Sequence, residues 1–126
     1  MKRTFDVPGR PVPKGRPRLN RQTGTIYTPK STREYEAAVA WCCESAQVDL
    51  QPDRDYDIRI WFQVPDKRKA DIDNLVKSVL DGMHQAYPAW GDHQVTHLEA
   101  WVLRVAPDKG LCIVEVSSNN VGDVAP

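Results

Sequence analysis

The sequence predicts one α/β (α+β) domain, in which two helices cover a small mixed β-sheet and the elements follow the order β-α-β-α-β-β. Three patterns lead to this prediction. Apolar residues alternate with polar ones over 56–64, which is typical of a strand with one buried face. Apolar residues recur at helical spacing over 75–83, which predicts a helix packed against a core. Two strand-like runs, 95–105 and 111–116, are separated by a Pro-Asp-Lys-Gly turn and favour a hairpin.

Length and composition indicate a single domain over residues 1–126. The chain has 126 residues, of which 40% are hydrophobic and 27% are charged, as in ordinary globular proteins. It contains no apolar run of about 18 residues, and its first residues lack the apolar core of a signal peptide. We therefore expect no membrane span and a cytoplasmic location. The polar residues of about 117–126 are expected to form a frayed tail.

A short first strand is predicted over 4–8, and a segment rich in Pro, Gly and basic residues follows it, here termed the basic arm (residues 9–30). Residues 1–30 contain eight Lys or Arg and one Asp, so this part carries +7 and the rest of the neutral chain carries −7. Such an asymmetry indicates contact with a polyanion. The arm is either a solvated loop or a surface that neutralises DNA phosphates. The residues expected to contact DNA are Lys14, Arg16, Arg18, Arg21 and Lys30.

The first helix is predicted over about 32–47. Ser31 or Thr32 is the expected N-cap, because a short side-chain oxygen can accept from the free N–H groups of a first turn. Tyr35 and Val39 belong to an apolar face that we expect to cover the sheet.

A second basic cluster follows the strand over 56–64, which ends at Pro65. Lys67, Arg68 and Lys69 come directly before the acidic segment described next. Their position suits contact with a DNA phosphate, although three basic residues in a loop also serve solubility alone.

The second helix carries a polar stripe on the side opposite its apolar face. Asp73, Lys77, Asp81 and His84 fall on this stripe at about 100° per residue. Asp71 does not fit the stripe if it is helical, whereas residues i and i+2 of an extended segment point the same way. We therefore place Asp71 just before the helix, with Asp73 or Asn74 near the N-cap.

Paired carboxylates at this corner are consistent with a metal site. Two ionised carboxylates raise each other's pKa unless a cation lies between them. Oxygen-only ligands suit Mg²⁺, or Mn²⁺ as a substitute, and Asp92 on the turn after the helix is the natural third ligand. The alternative is that Asp71 and Asp73 only cap the helix and that Lys77 is a solvated partner of Asp73 and Asp81.

Two histidines lie near these acids. His84 is on the polar stripe and His93 follows Asp92. An imidazole can bind a transition metal or move a proton. The oxygen-rich set favours a hard cation instead, so we expect at most a supporting role for either histidine.

Several motifs together resemble the signature of RusA-type Holliday junction resolvases. The segment 71–77 reads Asp-Ile-Asp-Asn-Leu-x-Lys and is followed by Asp81, and residues 90–95 read Trp-x-Asp-x-Gln-Val. Upstream, residues 11–18 and 27–30 are similar to the amino-terminal segment of phage-borne members. The motifs cover most of the chain and occur in the family's order.

The resemblance implies a Mg²⁺-dependent endodeoxyribonuclease that resolves four-way junction DNA as a homodimer encoded by a phage or prophage. Asp71, Asp73 and Asp92 would hold the metal, and Lys77 would assist catalysis, supported by Asn74 and Asp81. Many family members carry two adjacent acids where this chain has Gly91-Asp92, so the ligand role is assigned to Asp92. Two alternatives remain open. One is a non-catalytic DNA-binding phage protein that retains the fold, and the other is a nuclease acting on flaps or duplex.

Overall fold

The structure is a computed structural model that describes residues 1–65, 67 and 69–119. The strands are β1 (Lys2–Pro8), β2 (Arg18–Leu19), β3 (Ile26–Tyr27), β4 (Asp55–Val64), β5 (Val95–Arg104) and β6 (Leu111–Asn119). The helices are α1 (Lys30–Ser45) and α2 (Ile72–Ala86), and a short 3-10 helix spans Asp92–Gln94. Apart from the two-residue strands β2 and β3, the elements confirm the predicted order.

The main sheet is mixed and has the strand order β1-β6-β4-β5. Strand β4 pairs in parallel with β5 and antiparallel with β6, which in turn pairs antiparallel with β1. The predicted hairpin between the last two strands is therefore wrong, because β5 and β6 lie on opposite sides of β4. Helix α2 is the physical reason: it connects β4 to β5 as a crossover, the connection that parallel neighbours require.

The predicted alternation along β4 is confirmed. The side chains of Tyr56, Ile58, Ile60 and Phe62 are fully buried, and Val64 is 2% exposed. They belong to one hydrophobic cluster together with residues of both helices, β1 and β6. Both helices therefore cover the same face of the sheet.

The apolar face of α2 is confirmed, since its predicted members are all buried: Leu75, Val76, Val79, Leu80 and Met83. The predicted N-cap of α1 is wrong. Pro29 occupies the cap position, and its side chain makes no capping hydrogen bond. The hydroxyl of Thr32 instead accepts a hydrogen bond from the backbone N–H of Gly15 at 3.0 Å. No helix in the described part of the chain is long and apolar enough to cross a membrane.

Helices α1 and α2 approach each other closely at Gly82. A Cβ atom at Gly82 would lie 2.6 Å from the Cβ of Val39 and 2.8 Å from the backbone oxygen of Glu36, distances too short for a side chain. The missing side chain thus permits a crossing that brings polar residues of α1 next to those of α2.

Two segments predicted to be irregular contain paired backbone. Within the basic arm, β2 pairs antiparallel with β3, so the outer part of the arm is a small hairpin. At the other end of the chain, Ser117 pairs with Lys2 and Ser118 with Tyr56, so 117–119 belong to β6 and not to a tail. Residues 120–126 lie outside the described residues.

Candidate active site

The start of α2 presents two exposed carboxylates. Asp71 has extended backbone angles (φ −68°, ψ 127°) and is the residue before the helix, as predicted. It therefore takes the cap position that was predicted for Asp73 or Asn74, and its side chain makes no capping hydrogen bond. Asp73 lies inside the first turn, where its carboxylate accepts from the backbone N–H of Asn74 at 3.0 Å. Carboxylates suit this end of a helix because of its positive dipole.

Lys77 lies between two carboxylates further along α2. Its Nζ is 3.0 Å from Oδ1 of Asp81 and 3.6 Å from Oδ2 of Asp92. A hydrogen bond to Asp81 raises the pKa of Lys77, and the charge of Asp92 adds to this effect. Lys77 therefore stays protonated at neutral pH. Beside this group is a cleft of about 170 Å³ lined by Lys77, Leu80, Asp81, His84, Gly91 and Asp92.

Asp81 also pairs with a lysine of the basic arm. The Nζ of Lys14 is 3.0 Å from Oδ2 of Asp81 and 2.6 Å from Oε1 of Glu36 on α1. Partial burial would raise the pKa of Asp81, but hydrogen bonds from Lys77 and Lys14 outweigh it and lower the pKa. Burial would lower the pKa of Lys14, and the bonds to Glu36 and Asp81 reverse that effect. The result is an ion-pair chain in the order Glu36, Lys14, Asp81, Lys77 and Asp92.

Backbone contacts fix the inner part of the basic arm against α2. The N–H of Lys14 donates to the carbonyl of Asn74 at 2.8 Å. The hydroxyl of Ser78 donates to the carbonyl of Val12 at 2.7 Å. The next residue, Gly15, has no room for a side chain, because a Cβ atom would lie 2.8 Å from the Pro29 ring. Lys14 therefore enters the candidate site from a fixed backbone.

The turn that carries Asp92 is held by a buried glutamine. Gln94 is 4% exposed, and its Oε1 accepts from the N–H of Gly91 at 3.0 Å. Its Nε2 donates to the carbonyls of Gln51 at 2.8 Å and Arg54 at 2.7 Å. One side chain thus joins the Asp92 turn to the loop that precedes β4.

Two further residues hold the same turn. The side chain of Trp90 is fully buried in the core. Nδ1 of His84 lies 2.5 Å from the carbonyl of Trp90, and because that oxygen only accepts, the imidazole donates. His84 thus supports the turn. The ring of His93 lies over Gly91, where Nδ1 would be 2.6 Å from a Cβ atom.

The predicted metal ligands do not form a ready three-carboxylate cluster. In the described part of the chain, no three His, Cys, Asp or Glu side chains are grouped to hold a metal ion. Along the axis of α2, Asp73 precedes Lys77 by about 6 Å and Asp81 by about 12 Å, and Asp92 lies beside the later residues. The ligand set of Asp71, Asp73 and Asp92 stays a prediction. Its oxygen chemistry fits Mg²⁺, which often takes only one or two protein carboxylates and completes its shell with water and phosphate.

The remaining predicted DNA contacts are spread over the surface. Arg16, Arg18 and Arg21 are exposed on the basic arm, and Lys30 is exposed at the start of α1. Lys30 lies 3.6 Å from Glu34 on the same helix. Lys67 and Lys69 are exposed before α2, whereas Arg68 lies outside the described residues. DNA binding by these side chains, and by Lys14, stays a prediction.

Sequence reasoning missed the supporting roles of Glu36, Gln94 and Thr32. The position of Glu36 depends on the close helix crossing at Gly82, which no local pattern indicates. Gln94 does carry a local signal, since a polar side chain three residues after Gly91 can accept from that N–H and close the turn.

A family model described as endodeoxyribonuclease RusA matches residues 8–116. The chain belongs to this family of nucleases. It is also 30% identical over 76 residues to a protein named crossover junction endodeoxyribonuclease RusA from Aquifex aeolicus (strain VF5). That match covers 60% of this chain and 60% of the relative's length.

Proposed function

We propose that this protein is a Mg²⁺-dependent endodeoxyribonuclease that resolves four-way DNA junctions by paired phosphodiester hydrolysis in recombination and repair. The observation that carries the proposal is the line of charged groups along one side of α2. Exposed Asp71 and Asp73 stand at its start, and Lys77 faces Asp92 in an open cleft. Family membership and the name of the relative support the same activity.

Asp71, Asp73 and Asp92 are the proposed Mg²⁺ ligands, with Mn²⁺ as a possible substitute. When bound, the ion would supply Lewis acidity at the scissile phosphate and lower the pKa of the attacking water. Lys77 remains a cation at neutral pH, so it acts as a hydrogen-bond donor to phosphoryl oxygens or to the water and not as a general base. Asp81 orients the ammonium of Lys77, and the buried Gln94 keeps the Asp92 turn in place.

Substrate binding is proposed to use Arg16, Arg18, Arg21 and Lys30, which are exposed on the basic arm, together with Lys67, Arg68 and Lys69. Arginine and lysine side chains neutralise DNA phosphates and release counterions, so binding would weaken as salt rises. The two cuts of a four-way junction need two sites, and a two-fold dimer supplies them. We therefore include a homodimer in the proposal. We further place the enzyme in the cytoplasm as a phage- or prophage-encoded protein.

The deciding experiment compares a synthetic four-way junction with a linear duplex of the same sequence, in Mg²⁺. We expect paired, symmetric cuts in the junction and little cleavage of the duplex. Equal cleavage of both would replace junction resolution with a nuclease activity on ordinary duplex, and a flap substrate in the same assay would identify a flap-directed nuclease.

A second candidate is a non-catalytic junction-binding protein, which would use the exposed arginines of the basic arm without needing Asp71, Asp73 and Asp92 together. Asp73→Asn separates the two. Under the nuclease proposal this change abolishes cutting and spares junction binding, because Asp73 is exposed and is not part of the hydrophobic core. Divalent-dependent cleavage that survives the change unaltered would show that the assigned site is wrong. A wild-type protein that binds junctions without cutting them would establish the binding role.

A further inference from the structure

We propose that Lys14 is a positioning residue of the active site, which holds Asp81 and thereby fixes Lys77 beside Asp92, and that it is not a DNA-phosphate contact. This inference rests on the proposed nuclease function. It separates Lys14 from the other basic residues of the arm, with which its position in the sequence groups it.

The first argument is the path of the backbone. The hydrogen bond from the Lys14 N–H to the Asn74 carbonyl, at 2.8 Å, joins the arm to the first turn of α2. The Ser78 hydroxyl holds Val12 one turn further along. Lys14 is therefore anchored to the helix that carries Lys77. Arg18 lies on the outer hairpin of the arm and is exposed.

The second argument is the state of the ammonium group. The Lys14 side chain is 26% exposed and contacts two carboxylates, from Glu36 and Asp81, that are 14% and 25% exposed. A DNA phosphate would have to displace both of these partners. Partly buried pairs are screened by salt much less than exposed ones, so such a displacement is costly. The arginines of the outer arm are exposed and meet a phosphate without this cost.

The third argument is that the two oxygens of the Asp81 carboxylate contact different lysines. Oδ2 contacts Lys14 and Oδ1 contacts Lys77, both at 3.0 Å. With one oxygen fixed by Lys14, the other faces Lys77, whose ammonium then lies 3.6 Å from Asp92. Removal of the Lys14 ammonium takes away one ion-pair partner from Glu36 and one from Asp81. The Asp81 carboxylate is then free to rotate. The ammonium of Lys77 then loses its defined position in the cleft.

The test measures junction cleavage under single-turnover conditions at saturating protein, together with junction affinity in Ca²⁺. In Lys14→Gln we expect the cleavage rate to fall about 10- to 100-fold, as when residues supporting an active site are removed, with Kd changed less than about threefold. Lys14→Arg keeps the charge and should recover much of the rate. Lys109→Gln, an exposed lysine on the turn before β6, is the matched control and should change neither quantity.

A double-mutant cycle tests whether Lys14 acts through Asp81. If it does, adding Lys14→Gln to Asp81→Asn lowers the rate by no more than about twofold, because coupled residues are not additive. If Lys14→Gln proves poorly folded by circular dichroism, Lys14→Met, which keeps the aliphatic length and removes the charge, takes its place in the cycle with the same expected loss of rate.

Three outcomes would overturn the inference. Lys14→Gln could raise Kd and lower the salt dependence of binding by about one phosphate contact, as expected for Arg18→Gln. It could cleave at the wild-type rate, or its effect could multiply with that of Asp81→Asn. A wild-type protein that fails to cut any junction overturns the proposed function itself. Equal cleavage rates of the wild type and Lys14→Gln overturn only the role of Lys14.

Discussion

The two halves of the candidate active site differ in how firmly the protein holds them. The Asp92 turn is fixed by the buried Gln94, by Trp90 in the core and by a hydrogen bond from His84. The start of α2 presents Asp71 and Asp73 on exposed positions. The Asp92 turn is therefore held by buried side chains before any ligand arrives, although Asp92 itself is exposed, as Asp71 and Asp73 are.

This difference suggests a division of work. The fixed half keeps Lys77 and Asp92 together at 3.6 Å, which sets where a positive charge meets the substrate. The start of α2 leaves the carboxylates of Asp71 and Asp73 exposed, where a hydrated ion and its water ligands would have space. The predictions below test this contrast, from the largest expected effect to the smallest.

Chelation of divalent ions should abolish cleavage and leave the fold unchanged. The core is hydrophobic and the Asp92 turn is held by protein hydrogen bonds, so we expect EDTA to change the melting temperature by less than about 4 °C, or about 1 kcal/mol. Circular dichroism and a junction cleavage assay on the same samples check this. A large fall in melting temperature would mean that the metal also stabilises the fold, and the contrast between the two halves would then be lost.

Gln94→Ala should destabilise the protein by about 2–3 kcal/mol, because three hydrogen bonds to partly buried backbone groups are lost together. Denaturant unfolding gives the free energy of unfolding. Gln85→Ala, at an exposed position of α2, is the control and should stay within about 0.5 kcal/mol of wild type. Equal stability of the two variants would show that Gln94 does not hold the turn.

His84→Ala should cost about 1 kcal/mol, since one hydrogen bond to the Trp90 carbonyl is lost. The same denaturant measurement applies, with Gln85→Ala again as the reference because it is the next residue on the helix. Cleavage should fall as well, since the Asp92 turn is less well fixed. If neither the free energy of unfolding nor the cleavage rate changes, His84 does not support the turn.

The smallest expected effect is the pH dependence contributed by Asp81. Its pKa is lowered in the folded protein, so its contribution to stability is complete above the unfolded value of about 4 and is lost as pH falls through the lower folded value. Asp81→Asn should therefore be less stable than wild type at neutral pH, by about 1 kcal/mol or less for a partly exposed pair. The difference should vanish in acid. A difference that persists below the folded pKa would point to packing and not to charge.

Local patterns predicted the parts of the fold that local physics determines. Alternation along β4 and helical spacing along α2 each identify a buried face, and both faces are buried as expected. The extended position of Asp71 followed from the same geometry. The turn at 107–110 favours pairing of β5 with β6, but the β4-α2-β5 order favours parallel neighbours, and β5 pairs with β4.

Contacts within one helix of the candidate site could be predicted from the sequence, whereas contacts between elements could not. Lys77 and Asp81 are one helical turn apart, so their ion pair could be inferred from spacing. The pairing of Lys14 with Glu36 joins residues 22 positions apart on different elements. It depends on the close approach of two helices at Gly82, and only the tertiary structure reveals that approach.

The strand order has a consequence for synthesis of the protein. Strand β6 lies between β1 and β4, so an inner strand of the sheet is the last of the described strands to leave the ribosome. Until it does, β1 has no partner in the main sheet and the antiparallel side of β4 is open. The main sheet can therefore be completed only after residue 111 and the rest of β6 have been translated. Until then, the acidic residues of the candidate site lie on a nascent chain that lacks the completed sheet.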